Sequence, residues 1–563
     1  MTVRTPITQV EMSDGSVVSV PRNGVLAFVG PNNAGKSISL RDIRGHLTRP
    51  DVPPLAVKSI SVDKQGSDED LIAWLDENCD KRWVSGQEYY YHSGGGQTYK
   101  SNVPHYWAAG PPYQDLGPFF VLFAGGEGRL GAASAASSID FLTQPPQHPL
   151  HSLYMDPELE EKISGICARA FGAPLTLNRH AGAALYLHVG KAPAVQHGVS
   201  APPREYLEAL SKMPRLDQQG DGMKSFMGLL LNIVASAYPV VLVDEPEAFL
   251  HPPQARLIGT MLGDEKDPDA QVLVATHDSD VLRGLLDSSV RELKVVRLVR
   301  QGEVNRASQL EPDKVEELWK DPLLRYSNVL DGLFHDAVIL CEADADCRFY
   351  QSILDVFEQR ENEARRPDLL WTHCGGKARM PTVISALTAV DVPIRVVADF
   401  DILRDEQPLR RIVEGLGVDW STVQGDWTIV KAALDSDTKA PPTGYVRAQL
   451  EQMLAAIETP TLSKDDSTKI RQLVRSDSSW DRAKRGGKAA VPQGDPSASV
   501  EKLLATLRDL GLFVVEVGEL ERFAPTVPGH GPAWVSAVHE QGLHADGSLT
   551  EAQDFVQAVV ASL

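Results

Sequence analysis

Apolar runs of four to six residues, one of them broken by Arg395, punctuate this chain, and all but one close on glycine or on acids. In the first half they are Gly24–Val29, Phe119–Ala124, Val240–Val243 and Val272–Ala275; in the second they are Ala337–Leu340 and Ile394–Ala398. A strand with one wet face alternates, so continuous runs predict strands buried on both faces, the pattern of parallel sheets covered by helices. Helical patterns fall between them, over Ile38–Leu47, Leu71–Asn78, Pro157–Phe171, Phe226–Ser236, Arg348–Phe357 and Met380–Val390. Leu175–Val189 and the basic stretch Leu293–Gln309 read as hairpins. Trp83–His105 shows no period, and Ala194–Pro203 reads as a proline-rich loop. Strand and helix alternating in this way predict an α/β fold.

The longest apolar stretch, Phe226–Val243, imitates a membrane span, but Asn232, Ser236 and Pro239 interrupt it and Asp244-Glu245 ends it. A buried helix followed by a buried strand is the expectation, and no membrane association. A length of 563 residues exceeds one ordinary core, so two or three domains are expected. The net charge of −21 excludes a protein that coats nucleic acid with its whole surface, yet leaves room for a local basic groove. Five cysteines, spaced without CxxC pairs, argue against a disulfide framework or a structural zinc. The N-terminus shows no apolar leader, so a reducing, cytoplasmic setting is expected.

The polar residues that end the apolar runs carry the chemistry. Gly30-Pro31-Asn32-Asn33-Ala34-Gly35-Lys36-Ser37 follows the first run with the spacing G-x4-G-K-S, in which backbone N–H groups and Lys36 face phosphate oxygens and the Ser37 hydroxyl can ligate Mg²⁺. Asp244 and Glu245 end the third run, suited to hold Mg²⁺ through water and to polarise the attacking water. His277 ends the fourth, where a γ-phosphate sensor is expected. The glycine-rich stretch from Asp217 to Ser225 precedes a helix and offers a second anion-binding surface. Glu127 or Arg129, after the second run, either senses nucleotide or forms a surface turn.

In order and approximate spacing, these four segments resemble the ABC-type ATPase domain over roughly residues 1–310, with insertions at about 50–115 and 130–215. That resemblance implies ATP as cofactor, and two heads that sandwich it. Each P-loop would then be closed in trans by Gly222 and Ser225 of the other subunit, in at least a homodimer.

A second unit begins near residue 335 after a helical connector over 311–334. Glu342, Asp399 and Asp401 all end predicted parallel strands, where such sheets place their sites. Gathered carboxylates repel one another, so a hard divalent cation, Mg²⁺ or Mn²⁺, accounts for the pattern. Glu342-x3-Asp346 followed by Asp399-x-Asp401 resembles the TOPRIM domain, with Ala343 standing where that family usually has glycine. The later segments around Trp480–Lys488 and Val514–Glu521 resemble OLD-type TOPRIM modules, which implies Glu519 and Glu521 as ligands of a second metal; an ordinary strand-to-turn segment is the other reading. The domain is expected over 335–530, with a helical insertion at about 406–500 and a helical tail over 531–563.

An ABC head followed by this pattern resembles the OLD (overcoming lysogenisation defect) family of ATP-coupled endonucleases. The resemblance implies DNA as substrate and a lysine assisting cleavage. None stands near Trp534, so Lys484 or Lys488 is the expected substitute. The basic run Arg482–Lys488 either contacts backbone phosphate or forms a solvated loop. The expectation is an ATP-regulated, metal-dependent DNA endonuclease of anti-phage defence or DNA processing. Two other readings stay open: a non-nucleolytic repair or chromosome-maintenance ATPase, and a nucleotide-gated defence sensor that binds a partner protein.

Overall fold

In the computed structural model the described residues are 3–49, 53–92, 96–193, 202–235, 238–302, 304–310, 320, 328–360, 367–389, 391–436, 443–455, 457, 461–463, 466–467, 470 and 479–563. The chain divides into two units, Met1–Trp319 and Lys320–Leu563.

The first unit is built on the apolar runs. Its six-stranded sheet has the order Val304–Leu310, Leu293–Gln301, Val25–Val29, Gln271–Ala275, Val240–Asp244, Val121–Ala124. All neighbours are parallel except the first pair, the basic hairpin. Side chains alternate across the sheet. Val25, Ala27, Val241, Val243, Val272 and Val274 enter one core with the helices Asp221–Val234, Pro252–Asp264 and Ser279–Asp287. Leu26, Phe28, Leu242, Leu273 and Ala275 enter another, covered by the helix Lys36–Leu47 and by strands Ile7–Met12 and Val57–Val62. Every residue of the three central strands is therefore buried.

Three local expectations are corrected. Gly117–Phe120 is a helical turn, so the strand there starts at Val121; the Gly117-Pro118 pair opens the turn, with proline in its first positions where no N–H is needed. Asp80–Val84, Gln87–Tyr91 and Gln97–Tyr99 form an antiparallel three-stranded sheet inside the stretch that shows no period. Its faces are mostly half-exposed, so no apolar alternation marks it. The helix expected from Phe226 begins at Asp221, which places Gly222 and Ser225 in its opening turns and not in a loop. The end at Ser236 and most of the loop at 194–203 lie outside the described residues.

The second unit carries a parallel four-stranded sheet in the order Leu369–His373, Ala337–Cys341, Ile394–Ala398, Leu512–Val514. The helix after Ala337–Cys341 runs Asp344–Arg360, beginning earlier than its apolar pattern, and Met380–Thr388 follows Leu369–His373. The segment 531–563 is not a tail: Trp534, Val538, Val556 and Val559 are buried against Ile339, Phe349 and Tyr350 in one core. The expected insertion contains the helices Glu406–Gly415, Ser421–Ser436, Thr443–Ala455 and Ser479–Gly486, and the helix Asp495–Asp509 returns the chain to the edge strand. Of the expected connector, 311–319 and 321–327 lie outside the described residues, and Val329–Phe334 is a 3₁₀ turn. Among the described residues no helix is long and apolar enough to cross a membrane.

Candidate functional sites

In the first unit the carboxyl ends of three adjacent strands bring the sequence-predicted residues together. Gly30 (φ 142°) and Gly35 (φ 90°) adopt backbone angles suited to glycine. A Cβ on Gly30 would stand 2.3 Å from the Leu298 carbonyl oxygen, and one on Gly35 would meet the Asn305 amide at the same distance. Asn305 in turn donates to the Ala34 carbonyl at 2.7 Å, so the hairpin strand braces the loop from outside. Asn33 takes a left-handed φ of 64°, while Asn32 and Asn33 are exposed.

Lys36 is buried, and its Nζ donates to the carbonyls of Gly30 at 2.7 Å and Pro31 at 2.9 Å, folding the ammonium back over the loop. Burial lowers its pKa, and the charges of Glu247, Glu245 and Asp244 work against that. The Ser37 hydroxyl donates to Asp244 Oδ1 at 2.7 Å, which joins the two oxygen groups expected to share Mg²⁺. Burial raises the pKa of Asp244 while the Ser37 bond opposes it. The loop cradle that a Cβ would fill, the lysine and this oxygen pair fit a Mg²⁺-bound nucleoside triphosphate.

Glu245 has φ 50°, an uncommon value for a residue with a side chain. Its N–H donates to the Ala275 carbonyl at 2.8 Å, and its own carbonyl accepts from the Arg129 guanidinium at 2.9 Å. Arg129 is 1% exposed, on the short helix Gly126–Ala132, and its Nε has no hydrogen-bond partner among the described residues. Burial lowers its pKa against the charges of Glu247, Asp244 and Glu245. Of the two readings for this residue, the surface turn is therefore excluded.

His277 Nδ1 stands 3.0 Å from Glu247 Oε1 and 3.9 Å from Glu245 Oε1, and the His277 N–H donates to Glu247 at 2.9 Å. Glu247 is buried, and burial raises its pKa. The strand-end acids Asp244 and Glu245 do not by themselves point to Glu247; its place two residues beyond Glu245 in Asp-Glu-Pro-Glu is the signal the sequence carries. Gly222 lies against the carbonyl of Phe249, where a Cβ would come within 2.6 Å. Ser225 is 1% exposed and its hydroxyl has no partner among the described residues.

The second unit gathers its acids in the same manner. Glu342 follows the strand Ala337–Cys341, and its Oε1 accepts from the Asp399 N–H at 3.2 Å, tying adjacent strand ends together. Burial and then the Asp401 charge push Glu342 up to about 7. Burial, with the charges of Glu342 and Asp346, raises Asp399 well above the carboxylate range. Asp346 is also raised, first by burial, and its Oδ2 accepts from the Ala343 N–H at 2.9 Å, so it steadies the turn that has alanine in place of glycine.

Two lysines meet these acids. Lys484 Nζ stands 3.7 Å from Asp401 and 4.0 Å from Asp399. Burial works against its charge, but the surrounding acids, Asp401 first, leave its pKa raised. Lys377, a lysine with no motif to mark it in the sequence, donates to the Asp401 carbonyl at 3.2 Å and stands 3.5 Å from its carboxylate. Lys488 points elsewhere, 2.7 Å from Glu516 and 3.4 Å from Glu501, and this separates the two lysine candidates. Hard oxygens gathered at adjacent strand ends, outnumbering the cations set against them among the described residues, fit a divalent ion held by Glu342, Asp399 and Asp401.

Glu519 and Glu521 form a neighbouring group with His530, their donor atoms all within 4.8 Å of one another. His530 Nδ1 lies 2.5 Å from Glu521, which also accepts from the Gly531 N–H at 2.7 Å. The Glu519 charge acts on Lys484 and that of Glu521 on Asp346, so the two groups share one electrostatic environment.

The first unit thus has the α/β fold and loop geometry of a P-loop ATPase. A family model described as "AAA domain, putative AbiEii toxin, Type IV TA system" matches residues 214–283, which span the Asp221–Val234 helix, the Asp244–Glu247 strand end and His277. The OLD nuclease of Thermus scotoductus is 28% identical over 174 residues, covering 29% of this chain and 31% of that protein. The Old nuclease of Escherichia phage P2 is 22% identical over 170 residues, covering 29% of this chain and 28% of that protein. The chain therefore spans about a third of the length of these curated relatives. Solved structures similar to it include the SMC head domain from Thermotoga maritima, at 14% identity and a TM-score of 0.28 over 55% of this chain and all of that one. Another is the Pyrococcus furiosus Smc head domain with an extended coiled coil, at 13% identity and a TM-score of 0.31 over 56% of this chain and 99% of that one. By sequence, the chain is similar to OLD nucleases over less than a third of its length, and residues 214–283 match an AAA-type ATPase model.

Proposed function

We propose that this chain is an ATP-regulated, divalent-metal-dependent DNA endonuclease of the OLD type, with a TOPRIM-like second unit, acting in anti-phage defence or DNA processing. The observation that carries the reading is Lys484 set against Asp401 and Asp399 beside the raised carboxyl of Glu342. A divalent ion bound by Glu342, Asp399 and Asp401, Mg²⁺ or Mn²⁺, would supply Lewis acidity at the scissile phosphate and a hydroxide at neutral pH. In that setting Lys484 offsets the charge of the acids and is placed to meet a non-bridging phosphate oxygen. Lys377 holds the Asp401 backbone and carboxylate in one orientation. Glu519, Glu521 and His530 would hold a second ion.

At the P-loop, Lys36 and the loop N–H groups bind the phosphates, Ser37 and Asp244 hold Mg²⁺, Glu245 orients water, and His277, braced by Glu247, meets the γ-phosphate. Gly222 and Ser225, at the start of one helix, would approach the nucleotide of a second copy in a homodimer of heads. Because the Ser225 hydroxyl is buried, the helix N-terminus is what this chain offers such a partner. A cytoplasmic setting, with DNA as substrate and a possible defence partner protein, belongs to the same proposal.

Plasmid or phage DNA incubated with the purified protein and Mg²⁺ or Mn²⁺, with and without ATP, tests it. Metal-dependent cleavage that is lost in Asp399→Ala/Asp401→Ala supports the reading. Cleavage that survives the double substitution overturns the assignment of the centre.

A further inference from the structure

Behind the lysine that meets the acids lies a cavity of about 630 Å³ that none of this chemistry uses. Its volume is in the range that holds a small ligand. The end of the helix Ser479–Gly486 and the 3₁₀ turn Gly487–Ala490 contribute Arg485 and Lys488, and Arg508 on the helix Asp495–Asp509 and Arg522 add further cations. Phe523 and Phe555 contribute half-exposed rings, 5.9 Å between centroids. The helix Thr550–Ala561 adds two exposed acids, Glu551 and Asp554.

The charges are not evenly paired. Lys488 and Arg508 both bond the carboxylate of Glu516, and Lys488 also reaches Glu501 outside the cavity lining, so within that wall the two cations converge on one lining anion. Cationic side chains and aromatic faces on some elements, with acids on another, match the polarity of one nucleotide. Its phosphate is recognised by arginine and lysine, its base stacks on aromatic rings, and exocyclic amino groups donate to carboxylates.

The same two backbone segments build the cavity and the centre. A Cβ on Gly487 would lie 1.8 Å from the Glu516 carbonyl, and one on Gly518 would lie 2.3 Å from that of Lys484. Lys488 N–H also donates to the Glu516 carbonyl at 2.9 Å. Residues 484–488 and 516–519 are therefore packed against each other through backbone, and they carry Lys484 and Glu519 as well as Lys488 and Glu516.

We infer that this cavity binds one nucleotide unit, with preference for a base bearing an exocyclic amino group, next to the carboxylate centre. The unit comes either from the DNA strand being cut or from a free nucleotide acting as effector; the site's link to cleavage rests on the function proposed above, while the binding does not. The test is calorimetric titration of dCMP and dTMP into full-length Lys36→Ala protein in EDTA, which removes the P-loop and metal-bridged contributions.

The expected result is saturable dCMP binding that is several-fold tighter than dTMP binding. Arg508→Gln and Phe555→Leu should each weaken it about tenfold, and Glu551→Gln/Asp554→Asn should erase the preference for dCMP. No dCMP binding at millimolar concentration, on the order of the weakest useful sites, overturns the inference. So does binding that both Arg508→Gln and Phe555→Leu leave unchanged while melting as wild type. With DNA and metal present, a raised KM in Phe555→Leu marks the strand as source, whereas an unchanged KM with dCMP altering kcat marks a free effector. Absence of all cleavage would remove the endonuclease reading and leave the titration standing.

Discussion

Lys484 Nζ lies 3.7 Å from the carboxylate of Asp401, on a helix more than eighty residues downstream of it. The contact places a second cation, beside Lys377, against Asp401. Lys484→Met is expected to reduce metal-dependent DNA cleavage by about 10²–10³-fold, the usual cost of removing one aimed electrostatic group. Lys488→Met, whose partner is Glu516, should stay within about threefold of wild type. Nicking of supercoiled plasmid measures both.

Glu342 sets a pH window. Its folded pKa of about 7 lies above the unfolded value of about 4.3. A raised carboxyl favours the folded state while protonated, so this contribution is complete below the unfolded value and is lost as pH rises through about 7. Metal-free protein should therefore lose stability across that window, and added Mg²⁺ should raise the melting temperature more at pH 8 than at pH 5.5, as about one proton less must be displaced. Melting curves with and without EDTA at the two pH values check this, and Glu342→Gln should flatten the difference.

Glu245→Gln should bind ATP and hydrolyse it about 10²–10⁴-fold more slowly, because it removes the base and keeps the cradle. Lys36→Ala should lose ATP binding itself. Equilibrium nucleotide binding beside single-turnover hydrolysis separates the two.

Arg129 holds the carbonyl of Glu245, whose backbone sits at φ 50°. Arg129→Lys keeps a positive charge but shortens and narrows the donor set. Hydrolysis should fall about tenfold or more with ATP affinity within about threefold, a split that a general loss of folding would not produce.

Gly228→Ala tests the packing beneath that contact. The added methyl would stand 1.8 Å from the Arg129 carbonyl, between the helices Gly126–Ala132 and Asp221–Val234. Backbone cannot yield as a side-chain end can, so a loss of about 1–3 kcal/mol is expected from overpacking. Denaturant titration of the full chain measures it.

The sequence by itself determined the strands and their order of use. Runs such as Val240–Val243 and Ala337–Leu340 bury every residue, and only the middle of a parallel sheet accepts that, so the strand ends and the polar residues on them follow from local pattern. Ser37 with Asp244, and Glu342 with Asp399, were legible for that reason. What only the tertiary structure decided are contacts whose partners lie far apart on elements with no special pattern. Lys484 and Lys488 are four residues apart on one basic run, and only the packing of 484–488 against 516–518 turns the first to the acids and the second to Glu516. Arg129 reads from the sequence as a nucleotide sensor or part of a surface turn, and only the close approach that Gly228 allows its helix brings the guanidinium to Glu245. Trp534 likewise looks like part of a tail, because burial beside Phe349 is a property of the assembled core and leaves no period in the chain.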